Sequence, residues 1–319
     1  MLRHVSKSLW LLGLSVVLLC GLYPGVLWLI GQTLFPFQAN GSLLRGPDGR
    51  IVGSLLVAQP FTGEEYFQPR PSAASYNGSA SASSTLAPSN YLLRDRVARA
   101  LGPIVKYRSG PKAGQPVAPD IERWVAMDRY RGNPSVVGQW AQAHTALAQA
   151  WVKADAAHAR LVDEWATKHP DAVATWRKAN PAMPDPRAAD LAVIFFTTYS
   201  KEHPGRFPDR GDIPSIFFDM WRQEHPDVEL AAVPGDMVMS SGSGLDPHIT
   251  LENARYQLDR VAGKWAADTK QDPARVRREI DAVLREKTWA PLGGSVGEKL
   301  VNVLEVNLEL RRRYGDSAR

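Results

Sequence analysis

Residues 9–30 read LWLLGLSVVLLCGLYPGVLWLI, and this uncharged run decides the fold. A helix of this length rises about 33 Å at 1.5 Å per residue, which is enough to cross a hydrocarbon core of about 30 Å. Arg3, His4 and Lys7 precede the run without an accompanying acid. The positive-inside rule therefore predicts a transmembrane helix over 8–31, with the N-terminus in the cytoplasm and the bulk of the chain on the far side.

A cleaved signal peptide is the alternative interpretation of this run. Signal h-regions usually contain about 7–15 apolar residues, whereas this run is longer and no good Ala-x-Ala pattern follows it. Leu19 precedes Cys20, although a lipoprotein cleavage site would place a small residue there. A retained, single-pass anchor in the cell inner (plasma) membrane is therefore favoured over a cleaved signal.

Two glycines, Gly21 and Gly25, lie four residues apart within the run, with Pro24 between them. At that spacing they share one helical face, and small residues let membrane helices approach closely. Proline frees a backbone carbonyl, which a neighbouring helix makes tolerable in lipid. The pattern predicts a partner helix, and the alternative is chance, since glycine is common in membrane helices.

The composition of the whole chain limits its class. Of 319 residues, 44% are hydrophobic and 22% are charged, which excludes a wholly disordered chain or a polytopic membrane protein. The formal net charge of +5 is spread without a basic block, so nucleic acid is not a predicted partner. A single cysteine excludes an internal disulfide framework and a multi-cysteine zinc site.

The part of the chain after the membrane run predicts an α+β fold. Apolar runs at 41–45 and 50–57 flank Gly46-Pro47-Asp48-Gly49, which is strong hairpin-turn chemistry. Further strands are predicted over 237–240 and 301–306, and helices are predicted between and after them. Together these patterns favour a small sheet packed with several helices.

An inserted helical subdomain interrupts this pattern. Ala-rich periodicity predicts a long amphipathic helix over 134–169, followed by shorter helices. The predicted ranges are a cytoplasmic N-terminus at 1–7, the transmembrane helix at 8–31, an extracytoplasmic (periplasmic) α+β domain at 32–102 and 230–314, the inserted subdomain at 103–229 and a tail at 315–319.

Within the insertion, three aromatic residues each precede a His-Pro pair by four positions. The pairs are Trp165 with His169, Tyr199 with His203, and Trp221 with His225. Three histidines could indicate a metal site. A helix stop explains them better, because proline ends a helix and a cationic histidine complements its C-terminal dipole. No metal site is therefore predicted.

Sequence motifs for catalysis are missing. The chain has no nucleophile elbow, phosphate loop, paired zinc helix or dinucleotide fingerprint. Ser241-Gly242-Ser243-Gly244 resembles a phosphate-binding turn only in composition. A non-catalytic chain is favoured, and the alternatives are a membrane-anchored outer-face hydrolase or a metal- or solute-binding module.

Seven segments, in a fixed order behind one membrane helix, carry a family resemblance. They are Tyr23-Pro24, Phe35–Leu43, Gly53-Ser54 with Ala58–Phe61, Tyr66-Phe67 with Arg70–Ser72, Leu86–Asn90, Ser241–Ile249 and Val301–Leu308. With these motifs the chain resembles the KdpC family, the C subunits of Kdp-type potassium-transporting P-type ATPases. The resemblance covers about residues 5–102 and 230–314, and the loop around 83–85 departs from the glycine-richer family pattern.

The resemblance implies an accessory, non-hydrolysing subunit of a high-affinity ATP-driven potassium importer. Its implied partners are a P-type ATP-hydrolysing subunit, a channel-like potassium-binding subunit, a small membrane subunit and the lipid bilayer. The family is described as a catalytic chaperone that raises the hydrolytic subunit's ATP affinity, and ATP binding is attributed to it. Because a domain outside the cytoplasm cannot touch cytoplasmic ATP, we favour the assembly role. We predict no tightly bound cofactor and name no nucleotide-binding residue.

Residues expected to contact a partner come from the glycine face and from uncharged, aromatic-bearing loops, since aromatic residues and arginine are enriched at interfaces. The candidates are Gly21, Pro24, Gly25, Phe35, Phe37, Asn40, Phe67 and Arg70. For Phe67 and Arg70, ordinary packing within the domain is an equally open alternative.

Overall fold

The computed structural model of the chain describes residues 2–46, 49–87, 89–209 and 213–315. Within these ranges the α-helices are α1 Leu2–Val16, α2 Tyr23–Leu34, α3 Pro36–Ala39, α4 Tyr91–Leu101, α5 Ala118–Ala126, α6 Val136–Ala143, α7 Thr145–Ala154, α8 Ala156–Lys168, α9 Pro170–Ala179, α10 Ala192–Glu202, α11 Ile213–Glu224, α12 Leu251–Thr269, α13 Pro273–Lys287 and α14 Val303–Tyr314. The strands there are β1 Leu43–Arg45, β2 Ile51–Ser54, β3 Arg129–Tyr130, β4 Asn133–Pro134, β5 His248–Thr250 and β6 Leu300–Asn302.

The strands form two-stranded antiparallel sheets that pair β1 with β2, β3 with β4, and β5 with β6. The mixed helix-and-sheet class is therefore confirmed. The β1–β2 hairpin forms where it was predicted, although Pro47 and Asp48 of its turn lie outside the described residues. The predicted tail also lies largely outside them.

The membrane run forms the long apolar helix that was predicted. Residues Arg3–Leu34 are long and apolar enough to cross a membrane, and the rest of the described chain leaves them uncovered. A π-helical turn, Val17–Leu22, joins α1 to α2, and in it the Tyr23 N–H donates to the Leu18 carbonyl. Pro24 accounts for this turn, because proline lacks an N–H and clashes with the carbonyl four residues earlier.

The chain divides into two compact units. The anchored unit comprises Met1–Thr85 with Pro234–Arg319, and the helical unit comprises Leu86–Val233. The helical unit therefore begins earlier than the predicted insertion at residue 103. The reason is that α4 packs on α11, where a Cβ placed on Gly102 would overlap the Pro214 carbonyl.

The core of the anchored unit lies between α12, α13 and α14. Its largest fully buried side chains are Phe67, Ile249, Leu258, Ile280, Leu284 and Leu310. Each of the three helices starts on a side-chain cap, as local sequence chemistry favours. Thr250 caps α12, Asp272 caps α13 ahead of Pro273, and Asn302 caps α14.

Two strand predictions in this unit are wrong. Residues 237–240 are not extended, because a short 3₁₀ helix, Gly235–Met237, lies where the Asp236 carboxylate accepts the Thr250 N–H at 2.7 Å. The strand predicted over 301–306 stops at Asn302, whose side chain accepts the Glu305 N–H at 3.2 Å and starts α14. In both places a side-chain hydrogen bond from a polar residue redirects the backbone.

The helical unit packs α4 to α11 around an aromatic core. The Trp140 ring lies 5.2–5.8 Å from the rings of Phe196, Phe207 and Phe217. The long helix predicted over 134–169 is wrong in its continuity, since His144 ends α6 and Asp155 caps α8. The later shorter helices form close to the predicted positions, as α9, α10 and α11.

Candidate functional site

The membrane exit, defined as residues 31–57, begins with a turn that folds back on α2. A Cβ placed on Gly31 would lie 3.4 Å from the Ala39 Cβ. Asn40 Nδ2 donates to the Pro36 carbonyl at 2.6 Å and lies 3.2 Å from Gln32 Oε1. The chain leaving the membrane helix is therefore held against the end of that helix.

Phe35 and Phe37, two of the candidate contact residues, lie exposed in this turn, with 56% and 44% of their surfaces accessible. Asn40 is exposed as well, although its amide is used within the turn. Large exposed apolar side chains are costly in water, so a cluster of them marks a surface that another apolar phase or protein can cover. These residues remain predicted partner contacts.

The exit continues into the β1–β2 hairpin through backbone hydrogen bonds. The Ser42 N–H donates to the Phe37 carbonyl at 3.0 Å, and the Leu55 N–H donates to the Ser42 carbonyl at 3.1 Å. Ser54 Oγ donates to the Gly41 carbonyl at 2.6 Å. The turn and the hairpin are consequently joined by hydrogen bonds, with no unbonded linker between them.

The glycine face of the anchor is uncovered. Apart from the neighbouring residues and the helix's own backbone, no atom of the described chain lies within 4 Å of a Cβ placed on Gly21 or Gly25. Pro24 lies between them at the start of α2, directly after the π-helical turn. The structure thus leaves room on these residues for the predicted close approach of another helix.

Two helices clamp the loop that carries Phe67. Asn307 of α14 accepts the Phe67 N–H and donates to the Phe67 carbonyl, both at 2.8 Å. Gln257 of α12 accepts the Gln68 N–H at 2.8 Å and donates to the Gln68 carbonyl at 3.0 Å. The two side-chain amides therefore make the backbone hydrogen bonds that a neighbouring strand would otherwise make to this loop.

The next turns of the loop are held by Arg70 and Ser72. The Arg70 guanidinium donates to the Ser240 carbonyl at 3.2 Å and to the Met239 carbonyl at 3.4 Å. Ser72 Oγ donates to the Gly244 carbonyl at 2.5 Å. The same oxygen accepts the Tyr76 N–H at 2.9 Å. Motifs that are far apart in the sequence therefore meet in one internal network.

This network decides where two candidate contact residues lie. Phe67 is 1% exposed and packs within the core of the anchored unit. Arg70 is half-buried against carbonyls of its own unit. Ordinary domain packing, the alternative interpretation, describes both residues as they lie in this structure.

The Ser241–Gly244 turn also serves this network. Its Ser243 carbonyl accepts the Ala82 N–H at 3.0 Å, and a Cβ on Gly244 would lie 2.6 Å from the Ala82 carbonyl. The φ of Gly244 is +73°, in the left-handed region. Another segment of the chain thus fills the space over the turn that a phosphate would need.

One titratable pair adjoins the network. His248 Nδ1 lies 3.0 Å from Asp246 Oδ1, and this hydrogen bond, followed by the one that the His248 backbone N–H donates to the same oxygen, holds the pKa of Asp246 below its usual value against the opposing effect of burial. The edge of the Trp289 ring covers His248, with ring centroids 5.5 Å apart. A histidine–carboxylate pair can act in proton transfer, but in the part of the chain that the structure describes no nucleophile is seen bonded to this ring.

No group of three or more His, Cys, Asp or Glu side chains among the described residues is placed to hold a metal ion. An open depression of about 450 Å³ lies in the helical unit beside Arg94, His144 and Asp219. A second, of about 410 Å³, lies beside Thr250 and Lys299.

The clamp residues Asn307 and Gln257 were missed from the sequence. Asn307 lies at a core position of α14, between Val306 and Leu310, and is 2% exposed. A lone amide on an apolar helical face was the available signal, because a buried amide must find partners for both its donor and its acceptor.

The fold and the site together define an α+β chain with one helix long and apolar enough to cross a membrane. Its motif loops are hydrogen-bonded within their own unit, whereas the apolar helix and the turn that follows it are exposed. The family model described as KdpC: K+-transporting ATPase, c chain, matches residues 5–122 and 217–312. The chain belongs to this family. The match includes α4 and α5 and leaves 123–216 as the unmatched segment, which is shorter than the predicted insertion.

Curated relatives carry the same description. A "Potassium-transporting ATPase KdpC subunit" of Caulobacter vibrioides is 28% identical over 316 residues, which is 98% of this chain and 95% of the relative. One from Pseudomonas aeruginosa is 54% identical over 77 residues, 24% of this chain and 42% of the relative. One from Synechocystis is 44% identical over 104 residues, 30% and 55% respectively. The Caulobacter match runs through the segment that the family model leaves unmatched.

Proposed function

We propose that the chain is the accessory, non-hydrolysing subunit of an ATP-driven potassium importer and that it promotes assembly of the complex. The observation that carries this proposal is the exposed apolar helix Arg3–Leu34, which is followed directly by a hydrogen-bonded turn with Phe35 and Phe37 exposed. Membership of the K+-transporting ATPase c-chain family supports the potassium complex. The proposed partners are a P-type ATP-hydrolysing subunit, a channel-like potassium-binding subunit and a small membrane subunit.

The proposed assembly mechanism uses the glycine face. Gly21 and Gly25 let a partner helix approach the backbone closely, and dispersion contacts then hold the two helices together in lipid. Phe35 and Phe37 add apolar area where the helix leaves the membrane. No chemical step is required of this chain, and hydrolysis belongs to the P-type partner.

Co-purification of the complex in mild detergent tests this mechanism. We expect Gly21→Leu with Gly25→Leu to lower the recovery of the other subunits at least tenfold, because two isobutyl groups would hold the helices apart. Gly13→Leu is the matched control, since Gly13 lies in the same helix with equal space around it. Full recovery of partners by the double variant would contradict the proposed contact.

We also propose that the bulk of the chain lies outside the cytoplasm, in the periplasm, with the N-terminus inside. The basic residues Arg3 and Lys7 before the helix support this orientation. A reporter that is active only in the periplasm, fused after residue 319, is expected to be active, and a cytosolic reporter at the same place is expected to be silent. The reverse pattern would overturn the orientation.

The catalytic-chaperone role is proposed in an indirect form. In this orientation the chain raises the ATP affinity of the hydrolytic subunit through the assembled membrane helices, without touching ATP. We expect the KM for ATP of the purified complex to rise when the chain is omitted, while the isolated full-length chain fails to retain labelled ATP. Retention of stoichiometric ATP by the isolated chain would replace the indirect form with direct binding.

A further inference from the structure

Two histidines connect α8 with α10 and the segment that follows it. His169, which ends α8, has its Nε2 2.9 Å from Glu202 Oε1 at the end of α10. His158, within α8, has its Nε2 3.3 Å from Asp209 Oδ2. Each imidazole therefore bridges from α8 to a carboxylate on the other side.

The opposite nitrogen of each ring also faces an acceptor. His169 Nδ1 lies 2.9 Å from the Trp165 carbonyl oxygen, and His158 Nδ1 lies 2.8 Å from the Trp151 carbonyl oxygen. A carbonyl oxygen only accepts, so Nδ1 carries a proton. A neutral ring would then turn the lone pair of Nε2 towards a carboxylate. Only the doubly protonated imidazolium donates in both directions.

Each ring also stacks on an indole. His158 lies parallel to Trp151, with ring centroids 3.8 Å apart and an angle of 8° between the planes. His169 lies on Trp165 at 5.1 Å and 19°. The electron-rich face of tryptophan attracts a cation more than a neutral ring. The stacking therefore favours the same charged form that the hydrogen bonds require.

We propose that the His169–Glu202 bridge forms a pH-dependent clamp, which fastens α8 to α10 when the imidazole is protonated and releases it when the imidazole is neutral. The proposal concerns the helical unit alone, so it does not depend on the potassium-complex role.

The charged neighbours of His169 give the direction of the response. Glu202 faces it from α10, and Lys168 faces it from its own helix. The hydrogen bond to the Trp165 carbonyl, followed by the one to Glu202, raises the pKa of His169 above its usual value, while burial and Lys168 act in the opposite direction. A raised pKa means that the stabilisation is complete below the ordinary histidine value of about 6.5 and disappears as the pH rises through the higher folded value.

His225 supplies an internal comparison. Its Nδ1 lies 2.8 Å from the Trp221 carbonyl oxygen, and its ring stacks on Trp221 at 4.6 Å and 16°. Among the residues that the structure describes, no carboxylate is seen bonded to this ring. It has the cap and the stack without a carboxylate bridge to another helix.

Hydrogen exchange of the full-length chain in lipid nanodiscs, read by mass spectrometry, tests the clamp. After correction for intrinsic exchange, we expect peptides covering α8 and α10 to be about two- to fivefold more protected at pH 5.5 than at pH 7.5, the range of a partly exposed ion pair. Glu202→Gln keeps the side-chain shape and should abolish this difference.

Two control variants and one spectrum make the test decisive. Glu164→Gln removes an exposed charge from the same helix and should leave the pH difference unchanged. His225→Gln should lower the protection of α11 and leave that of α8 and α10 unchanged. The titration midpoint of His169 in an NMR spectrum should fall in the variant Glu202→Gln. A wild-type chain without pH-dependent protection, or a Glu202→Gln variant that retains it, overturns the proposal.

Discussion

The side-chain amide of Asn307 binds the backbone of Phe67 on both sides, because its oxygen accepts the Phe67 N–H and its nitrogen donates to the Phe67 carbonyl, each at 2.8 Å. The two residues are 240 positions apart, and Phe67 and Asn307 are 1% and 2% exposed. One amide thereby satisfies two buried backbone groups that would otherwise each cost about 1–3 kcal/mol. This pairing fixes the loop of the anchored unit on α14.

The first prediction concerns the hydrogen bond that Asn307 donates to the Phe67 carbonyl. Asn307→Asp turns a donor into an acceptor opposite the Phe67 carbonyl and buries a charge, so we expect the free energy of unfolding to fall by about 3 kcal/mol or more. Chemical denaturation of the detergent-solubilised chain at pH 7 measures it. Asn77→Asp is the control, because exposed Asn77 serves as an acceptor for Ser79, which aspartate can retain.

A second prediction concerns the backbone at Gly244. Its left-handed φ of +73° disfavours any Cβ, and the Ala82 carbonyl would lie 2.6 Å from that atom. Gly244→Ala should therefore destabilise the anchored unit by about 2 kcal/mol or more. Gly242→Ala, with open space around it, should stay within about 0.5 kcal/mol in the same unfolding experiment. Equal effects of the two variants would contradict the packing described for this turn.

A third prediction is a pH dependence at the end of α14. Hydrogen bonds from Arg312 and then Arg313, opposed by burial, lower the pKa of Glu309 to about 2. Because the pKa is depressed on folding, the stabilisation is present above the unfolded value near 4.5 and is lost as the pH falls towards 2.

Denaturation at pH 5 and pH 2.5 measures this contribution. We expect Glu309→Gln to lower the free energy of unfolding by up to about 1 kcal/mol at pH 5 and by less at pH 2.5, as for a partly exposed ion pair. Glu286→Gln, whose side chain is 66% exposed, should show no such difference between the two pH values. A loss for Glu309→Gln that is larger at pH 2.5 would reverse the predicted sign.

A fourth prediction separates the two units. The Ala82 N–H bonds the Ser243 carbonyl at 3.0 Å, so a residue shortly before the chain leaves the anchored unit lies beside one in the segment that follows its re-entry. Replacing 86–233 by a Gly/Ser linker of about ten residues should therefore leave the anchored unit folded, since such a linker spans about 17 Å on average. Circular dichroism and a preserved cooperative unfolding transition would confirm it.

The same deletion tests a role of the helical unit in the complex. We propose that the helical unit contacts a partner subunit, and we therefore expect the shortened chain to recover less of the other subunits on co-purification. Unchanged recovery would remove the partner role while leaving the folding prediction intact.

Local chemistry was sufficient to predict much of this fold. Charge-free length predicts the anchor, turn residues predict the β1–β2 hairpin, and Thr250 and Asp272 predict the starts of α12 and α13. Each of these signals lies within a few residues of the element it specifies. The glycine face, Phe35 and Phe37, named from the sequence as partner contacts, are exposed in this structure, and their contact with a partner stays a prediction.

The features that the sequence did not predict depend on hydrogen-bond partners that are distant in the sequence. Residues 237–239 are a short apolar run of the kind found in strands, yet Asp236 accepts the Thr250 N–H and Arg70 donates to the carbonyls of Met239 and Ser240. Asn307 has no local partner at all, and its role exists only once Phe67 is folded against it. A periodicity argument cannot detect a hydrogen bond between residues that the chain order separates so widely.

The fold-back of the membrane exit has a mechanical consequence. Ala39 lies against Gly31, and Ser42 is hydrogen-bonded to both Phe37 and Leu55. Because no unbonded linker separates the apolar helix from the β1–β2 hairpin, a tilt or rotation of the helix should move the hairpin with it. A partner helix that displaces this helix in the membrane would therefore also displace the hairpin.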